Sequence, residues 1–247
     1  MKYFPLQFLL FLLFAKAFCA TPVTHVYLAE KWMNSITPFE GNQRSAFIGG
    51  NIFPDIRYMG ELSRCETHEL NLTLEDVYSS KTPFQTGTRL HAYVDERREA
   101  LVIKWGIYSL IKEVAHGHEQ TLLKLIEDEL LYDRISSSEA MRDVSVVLQD
   151  ELDTGMCSEM LHKWHSSLAR YFSCRPSTIL IILAKTEKPF LGISAETVKI
   201  WSVALPQLIK NQDLIDYVTS LDEEFTKDFQ QFKDSLGEEK EKTRRAR

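Results

Sequence analysis

Apolar residues recur at spacings of three and four along nearly the whole chain, and no stretch alternates in the manner of a strand. Thr24 opens one such stretch as a good helix cap, and His25, Leu28, Ala29 and Trp32 then share a face. Between Phe39 and Met59, the Gly49-Gly50 and Pro54-Asp55 pairs punctuate a short helix that ends in a loop. Thr73 to Asp76 reads as a capping box opening another helix. The longest periodic stretch runs from Pro83 to about Val114, through Phe84, Gly87, Leu90, His91, Val94, Arg98, Val102 and Trp105. Helices are further predicted over Glu119–Tyr132, Glu139–Leu152, Glu159–Phe172, Pro176–Lys185 and Ser194–Gln212. A last one carries Leu214, Tyr217, Val218, Leu221, Phe225, Phe229 and Phe232. Gly237 to Arg247 is too charged to bury and is expected to be a frayed, flexible tail. The pattern predicts an all-α fold, a single helical domain over residues 21–236.

Residues 1–20 follow a different rule. Lys2 precedes an apolar run from Leu6 to Ala15 broken only by Gln7, and small residues follow at Ala15, Ala17 and Ala20. This is the layout of a signal peptide removed on export, to a periplasm or to the outside. The run is short for a bilayer span, and an uncleaved N-terminal anchor is the alternative. A cut after Ala17 makes Phe18 the first residue; a cut after Ala20 makes it Thr21.

Composition narrows the class. Hydrophobic residues are 44% and charged residues 26% of 247, a globular balance that excludes wholesale disorder. A net charge of −6 and no basic stripe disfavour nucleic acid as a partner. Four cysteines without a CxxC pair exclude a thiolate zinc finger and a disulfide-dense scaffold. In an exported chain, Cys157 and Cys174 are expected to pair.

The candidate chemistry lies early in the domain. His91 and Asp95, four apart on the long helix, put an imidazole and a carboxylate on one face. His25, Asp55 and His68 precede them. Mixed nitrogen and oxygen donors of this kind suit zinc, or manganese and iron in other settings. Singly, each has an ordinary reading: a first-turn residue for His25, a turn residue after proline for Asp55, a surface residue for His68. His162 and His165, three apart with no carboxylate completing a set, read as a helix surface or partner face.

Taken together, these residues resemble the zinc-dependent phospholipase C family, nearest to its uncharacterised bacterial members. The resemblance covers roughly residues 21–100. It rests on an early helix with a histidine (THVYLAEKW), a Gly-x-x-x-Pro-Asp segment (GNIFPDI), Thr67-His68, and Gly-x-x-x-His-x-x-x-Asp (GTRLHAYVD). It implies an all-helical domain around one to three zinc ions, with two favoured here. Asp55, His68, His91 and Asp95 would hold one ion, with Asp55 also a possible base. His25 and Asp95 would hold another, helped by the mature N-terminal residue, Thr21 if the cut follows Ala20. The family's next histidine is missing, and its His-x-x-x-Glu is not matched; His116 or His118 is the nearest substitute, with Glu119, Glu127 and Asp128 close by. Arg57 and Arg89 are candidates to orient a phosphate, and Trp32, Phe39, Phe47, Phe53, Tyr58 and Phe84 to line an acyl-chain cleft or simply the core. The implied activity is exported, zinc-dependent hydrolysis of a phospholipid head-group phosphodiester, with transient contact at a membrane surface. The alternatives are a single-strand nuclease of the same fold and a non-catalytic metal-binding helical protein.

Overall fold

A computed structural model describes residues 21–59, 62–186 and 193–245. The expected signal peptide and both cut sites within it lie outside those residues. Among the described residues there are thirteen α-helices and no strand, a single all-α domain. No helix among them is long and apolar enough to cross a membrane.

The chain begins with α1 (Pro22–Ser35), whose Val23, Val26, Ala29 and Trp32 are fully buried. Then come α2 (Asn42–Ile52), a 3₁₀ turn (Phe53–Met59), and two short helices, α3 (Arg64–Thr67) and α4 (Leu74–Tyr78). The central element is α5 (Pro83–Trp105). Thr82 caps it by accepting from the Gln85 N–H at 3.1 Å, and Pro83 sits in its first turn, where a missing N–H costs nothing.

The long helix predicted to reach Val114 stops earlier. Gly106 takes a left-handed conformation (φ 67°) that ends α5, and a separate α6 (Tyr108–Ala115) follows. Helix α7 (Glu119–Leu131) matches the expected span closely. The stretch Glu139–Leu152 is likewise two helices, α8 (Ser137–Asp143) and α9 (Gln149–Leu152). Then follow α10 (Ser158–Phe172), α11 (Pro176–Ala184), α12 (Ala195–Leu208) and α13 (Gln212–Arg245). The tail expected to fray at Gly237 is continuous with α13 up to Arg245. Glu, Lys and Arg are strong helix formers, and extending an existing helix avoids the cost of a new nucleus.

The most extensive helix pair is α2 with α5, and its closeness comes from two glycines. A Cβ at Gly50 would lie 2.2 Å from the Phe84 carbonyl oxygen, and one at Gly87 would lie 2.2 Å from the Phe47 carbonyl oxygen. Only hydrogen fits at either place. The Asn51 side-chain amide then donates to the Gly87 carbonyl at 3.1 Å, stitching the pair together.

Around this pair α1 packs on α2, α5, α7 and α13, and α13 also covers α4 and α7. Trp32 meets Phe229 edge-on at 5.4 Å and stacks on Phe232. The aromatic residues considered for an acyl-chain cleft are mainly core: Trp32 and Phe47 are wholly buried, and Phe53 packs on Phe84. The Tyr58 side chain lies outside the described residues.

Two further expectations are corrected. Cys174 is a free, half-buried thiol, so the expected Cys157–Cys174 bridge is not formed. His165 is not on a surface: it is buried, its Nδ1–H donates to the Val144 carbonyl at 2.7 Å, and its Nε2 meets Glu151 at 2.8 Å. The carboxylate sequence reading did not find comes from α9, folded back onto α10. His162 stays exposed.

Two measurements follow. Replacing Gly87 with Ala forces backbone apart rather than a side-chain tip, so Gly87→Ala should destabilise the protein by about 2–3 kcal/mol in urea unfolding. Burial works against a charge on His165, but the bond to and charge of Glu151 outweigh it and raise its pKa above the ordinary 6.5. A raised folded-state value means that this stabilisation is complete below pH 6.5 and is lost as pH climbs through the folded value. Urea unfolding from about pH 6 to about pH 9 should therefore decline less steeply in Glu151→Gln than in the parent.

Candidate metal centre

The α2–α5 contact fixes the site. Gly87, His91 and Asp95 are spaced by four on α5, so the face that touches α2 through glycine next presents an imidazole and then a carboxylate. The Nδ1–H of His91 donates to the Asn51 carbonyl of α2 at 2.7 Å. That bond commits one ring nitrogen and turns Nε2 inward, the arrangement by which histidine ligands are oriented.

Three other side chains converge there. His25 comes from α1; its ring stacks on His91 at 3.8 Å, and its Nε2 is 3.4 Å from Asp95 Oδ1. His68 follows α3; its Nδ1 hydrogen-bonds with the Thr67 hydroxyl at 2.9 Å. Its Nε2 is 3.3 Å from Asp95 Oδ2 and 3.1 Å from His91 Nε2. Asp55, on the 3₁₀ turn, lies 3.9 Å from His91 Nε2. All five are buried, from 0% exposure for His25 and His91 to 5% for His68.

Burial first, and the neighbouring His91 second, hold His25 below the ordinary histidine value. Burial likewise pushes His68 down to about 4, against the pull of Asp95. Both rings are therefore neutral near pH 7, the form that donates lone pairs. Burial opposes charge on His91 too, but Asp95, Asp55 and the Asn51 carbonyl together raise it. Asp95 sits well below the usual carboxylate range because the three imidazoles around it, His91 foremost, overcome its burial.

His25, His91 and Asp95 each offer a donor atom within 4.8 Å of the others, a buried group able to hold a metal ion. The donors fit such an ion on two further counts. Neither ring nitrogen of His25 has a hydrogen-bond partner, although both are buried. The Nε2 atoms of His68 and His91 face each other at hydrogen-bonding distance, so a proton or a cation must sit between two lone pairs.

Other sequence candidates lie elsewhere. Thr21 is engaged with α7: its hydroxyl donates to the Lys124 carbonyl at 3.2 Å. Asp128 caps α1 through the Val23 and Thr24 N–H groups, takes the Thr24 and Tyr171 hydroxyls, and is raised by burial to about 6. Glu127 receives two parallel bonds from the buried Arg98 guanidinium, at 2.8 and 2.7 Å, and the Tyr217 hydroxyl. Neither carboxylate is available to a third metal position. His116 is exposed at the end of α6, and His118 caps α7 beside Trp201. Arg89 is held by both oxygens of Glu69 at 3.0 and 3.1 Å on the surface. Arg57 does reach the centre, with Nη2 3.6 Å from Asp55.

Sequence reading missed Arg64, whose Nη2 is 3.9 Å from Asp95 Oδ2, and the Asn51 carbonyl. Asn51 lies inside GNIFPDI and was legible as part of that segment. Arg64 carried no pattern, because its place depends on how a four-residue helix docks.

These features define an all-α protein with a buried histidine–aspartate group able to hold a metal ion. No family model, no curated protein and no solved structure matches the chain.

Asp95 is the carboxylate that three imidazoles face at 3.3–3.5 Å, so Asp95→Asn should lower stability by about 2 kcal/mol without added metal, measured by urea unfolding. Stabilisation by added zinc, read as a rise in melting temperature, should disappear in the same variant.

Proposed function

We propose that the protein is an exported zinc-dependent phosphoesterase of the phospholipase C type, acting on the head-group phosphodiester of a phospholipid. The observation that carries this reading is the convergence of His25, Asp55 and His68, each from its own segment, on His91 and Asp95 of α5 at one buried centre. These are the residues picked out by the motifs GNIFPDI, Thr67-His68 and GTRLHAYVD and by the early THVYLAEKW helix.

His25, His91 and Asp95 would hold one zinc ion, and Asp55 and His68 would extend the donor set towards a second. Zinc held there would supply Lewis acidity, lowering the pKa of a bound water to about 7 and offsetting phosphoryl charge. Asp55 accepts a proton from the attacking water. Asn51 keeps the His91 ring turned inward, and Thr67 does the same for His68. Arg57 places positive charge beside Asp55. The short apolar run of residues 6–15 supports export. A lipid substrate calls only for transient contact with a membrane surface, and the net charge of −6 disfavours nucleic acid.

One observation favours a second reading. The five side chains are almost sealed from solvent, which suits a non-catalytic zinc that staples α1 and the 3₁₀ turn to α5.

The test is elemental analysis of protein purified without chelators, beside a His91→Ala, Asp95→Ala variant, with assays on phospholipid vesicles and a chromogenic phosphodiester. One or two zinc per chain are expected, lost in the variant, with hydrolysis falling more than about 100-fold. Zinc that raises the melting temperature without any hydrolysis selects the stapling role. Absence of stoichiometric metal overturns both.

A further inference from the structure

We propose that the outer face of α12 is a self-association surface, on which a second copy of this chain docks with its own α12 running antiparallel about Val203. The surface is built from α6 and α12 and does not depend on the metal reading above.

Helix α12 is apolar on two sides. Its inner side, with Val198, Trp201 and Leu205, is fully buried where the helix packs on α6, α7 and α11. Its outer side carries Ile200, Val203 and Ala204 at helical spacings of three and four, and Val203 is 75% exposed. Together with Leu208 and with Val114 of α6, these residues line an open groove of about 810 Å³. The Trp201 indole N–H donates to the Val114 carbonyl at 2.9 Å, which fixes the two walls of the groove relative to each other. Leu110, one turn before Val114 on the same face of α6 and 42% exposed, extends the apolar strip. A helix with apolar residues on opposite sides is ordinarily covered on both.

Charge selects the occupant. Glu196 lies seven residues before Val203 and Lys210 seven after it, about two helical turns in each direction, so both fall on the Val203 side. Lys210 is in the turn that closes α12, where its N–H donates to the Gln207 carbonyl at 3.0 Å and continues the helical path. Both side chains are exposed. The strip is therefore acidic at one end, apolar in the middle and basic at the other end. A second α12 laid antiparallel about a twofold axis at Val203 sets Val203 against Val203, and Glu196 of each copy opposite Lys210 of the other. Such an axis lets one patch serve both partners, as in the commonest homodimers. A parallel arrangement opposes like charges at both ends, and an anionic lipid surface meets a carboxylate at one of them.

The test is sedimentation equilibrium of the purified protein from about 1 to about 200 μM, with circular dichroism to follow helix content in every variant. A monomer–dimer equilibrium is expected. Val203→Glu, which sets two carboxylates against each other across the axis, should weaken it more than about 30-fold, and Glu196→Lys about fivefold. Glu196→Lys combined with Lys210→Glu should recover the parent association, because the pairs are restored with their signs exchanged. Val146→Glu, at a residue 63% exposed in the α8–α9 connection, is the control and should change nothing. A chain that stays monomeric throughout the range overturns the proposal, as does a dimer that Val203→Glu leaves intact. A double variant that associates no more tightly than Glu196→Lys alone overturns the antiparallel pairing, and this comparison decides by itself should Val203→Glu lose helix content. Binding of the monomer to anionic phospholipid vesicles, abolished in Val203→Glu and unaccompanied by self-association, assigns the face to a lipid surface and overturns the proposal.

Discussion

The contact on which the rest depends is the backbone-to-backbone approach of α2 and α5. Two helices with ordinary side chains between them sit 8–10 Å apart. Gly50 and Gly87 remove those side chains at the crossing, so the Asn51 carbonyl comes within reach of a histidine on the neighbouring helix. The tilt of the His91 ring, the position of Asp95 one turn further on and the take-off of the 3₁₀ turn bearing Asp55 all follow from that approach. Packing at the crossing and chemistry at the centre are therefore one constraint.

The remaining buried charges are already allocated. Arg98 answers Glu127, His165 answers Glu151, and Asp128 is satisfied by the start of α1 and two hydroxyls. Glu127 and Asp128 tie together helices distant in sequence, and Glu151 ties α9 to its neighbour α10. Buried carboxylates used this way are not free to act as ligands, which takes Glu127 and Asp128 out of the set of metal donors. The same helix that sequence reading took as a reserve of donors is a structural hub.

The all-helical class was legible because period-three-and-four patterning is a local property, and His91 with Asp95 was legible because their spacing sets a shared face. Gly106 was harder: within an apolar run it reads as tolerable, and only its left-handed conformation shows that it ends α5. The bond between His165 and Glu151 was hidden for a similar reason. It joins residues on two helices whose relative placement is set by packing, which spacing along the chain does not encode. Arg64 shares that obscurity, since a four-residue helix has almost no periodicity to read. Cys157 and Cys174 show the reverse failure, a pairing suggested by cell biology and composition that the packing of α10 does not bring about.

Asp128 has one more consequence. Because it grips the first turn of α1 from α7, the register of that helix is clamped from the side rather than from its leading end. His25 is the next residue after the clamp, with its N–H bonded to the Thr21 carbonyl. The aim of His25 is thereby set by a carboxylate of α7, far along the chain, as much as by the helix that carries it.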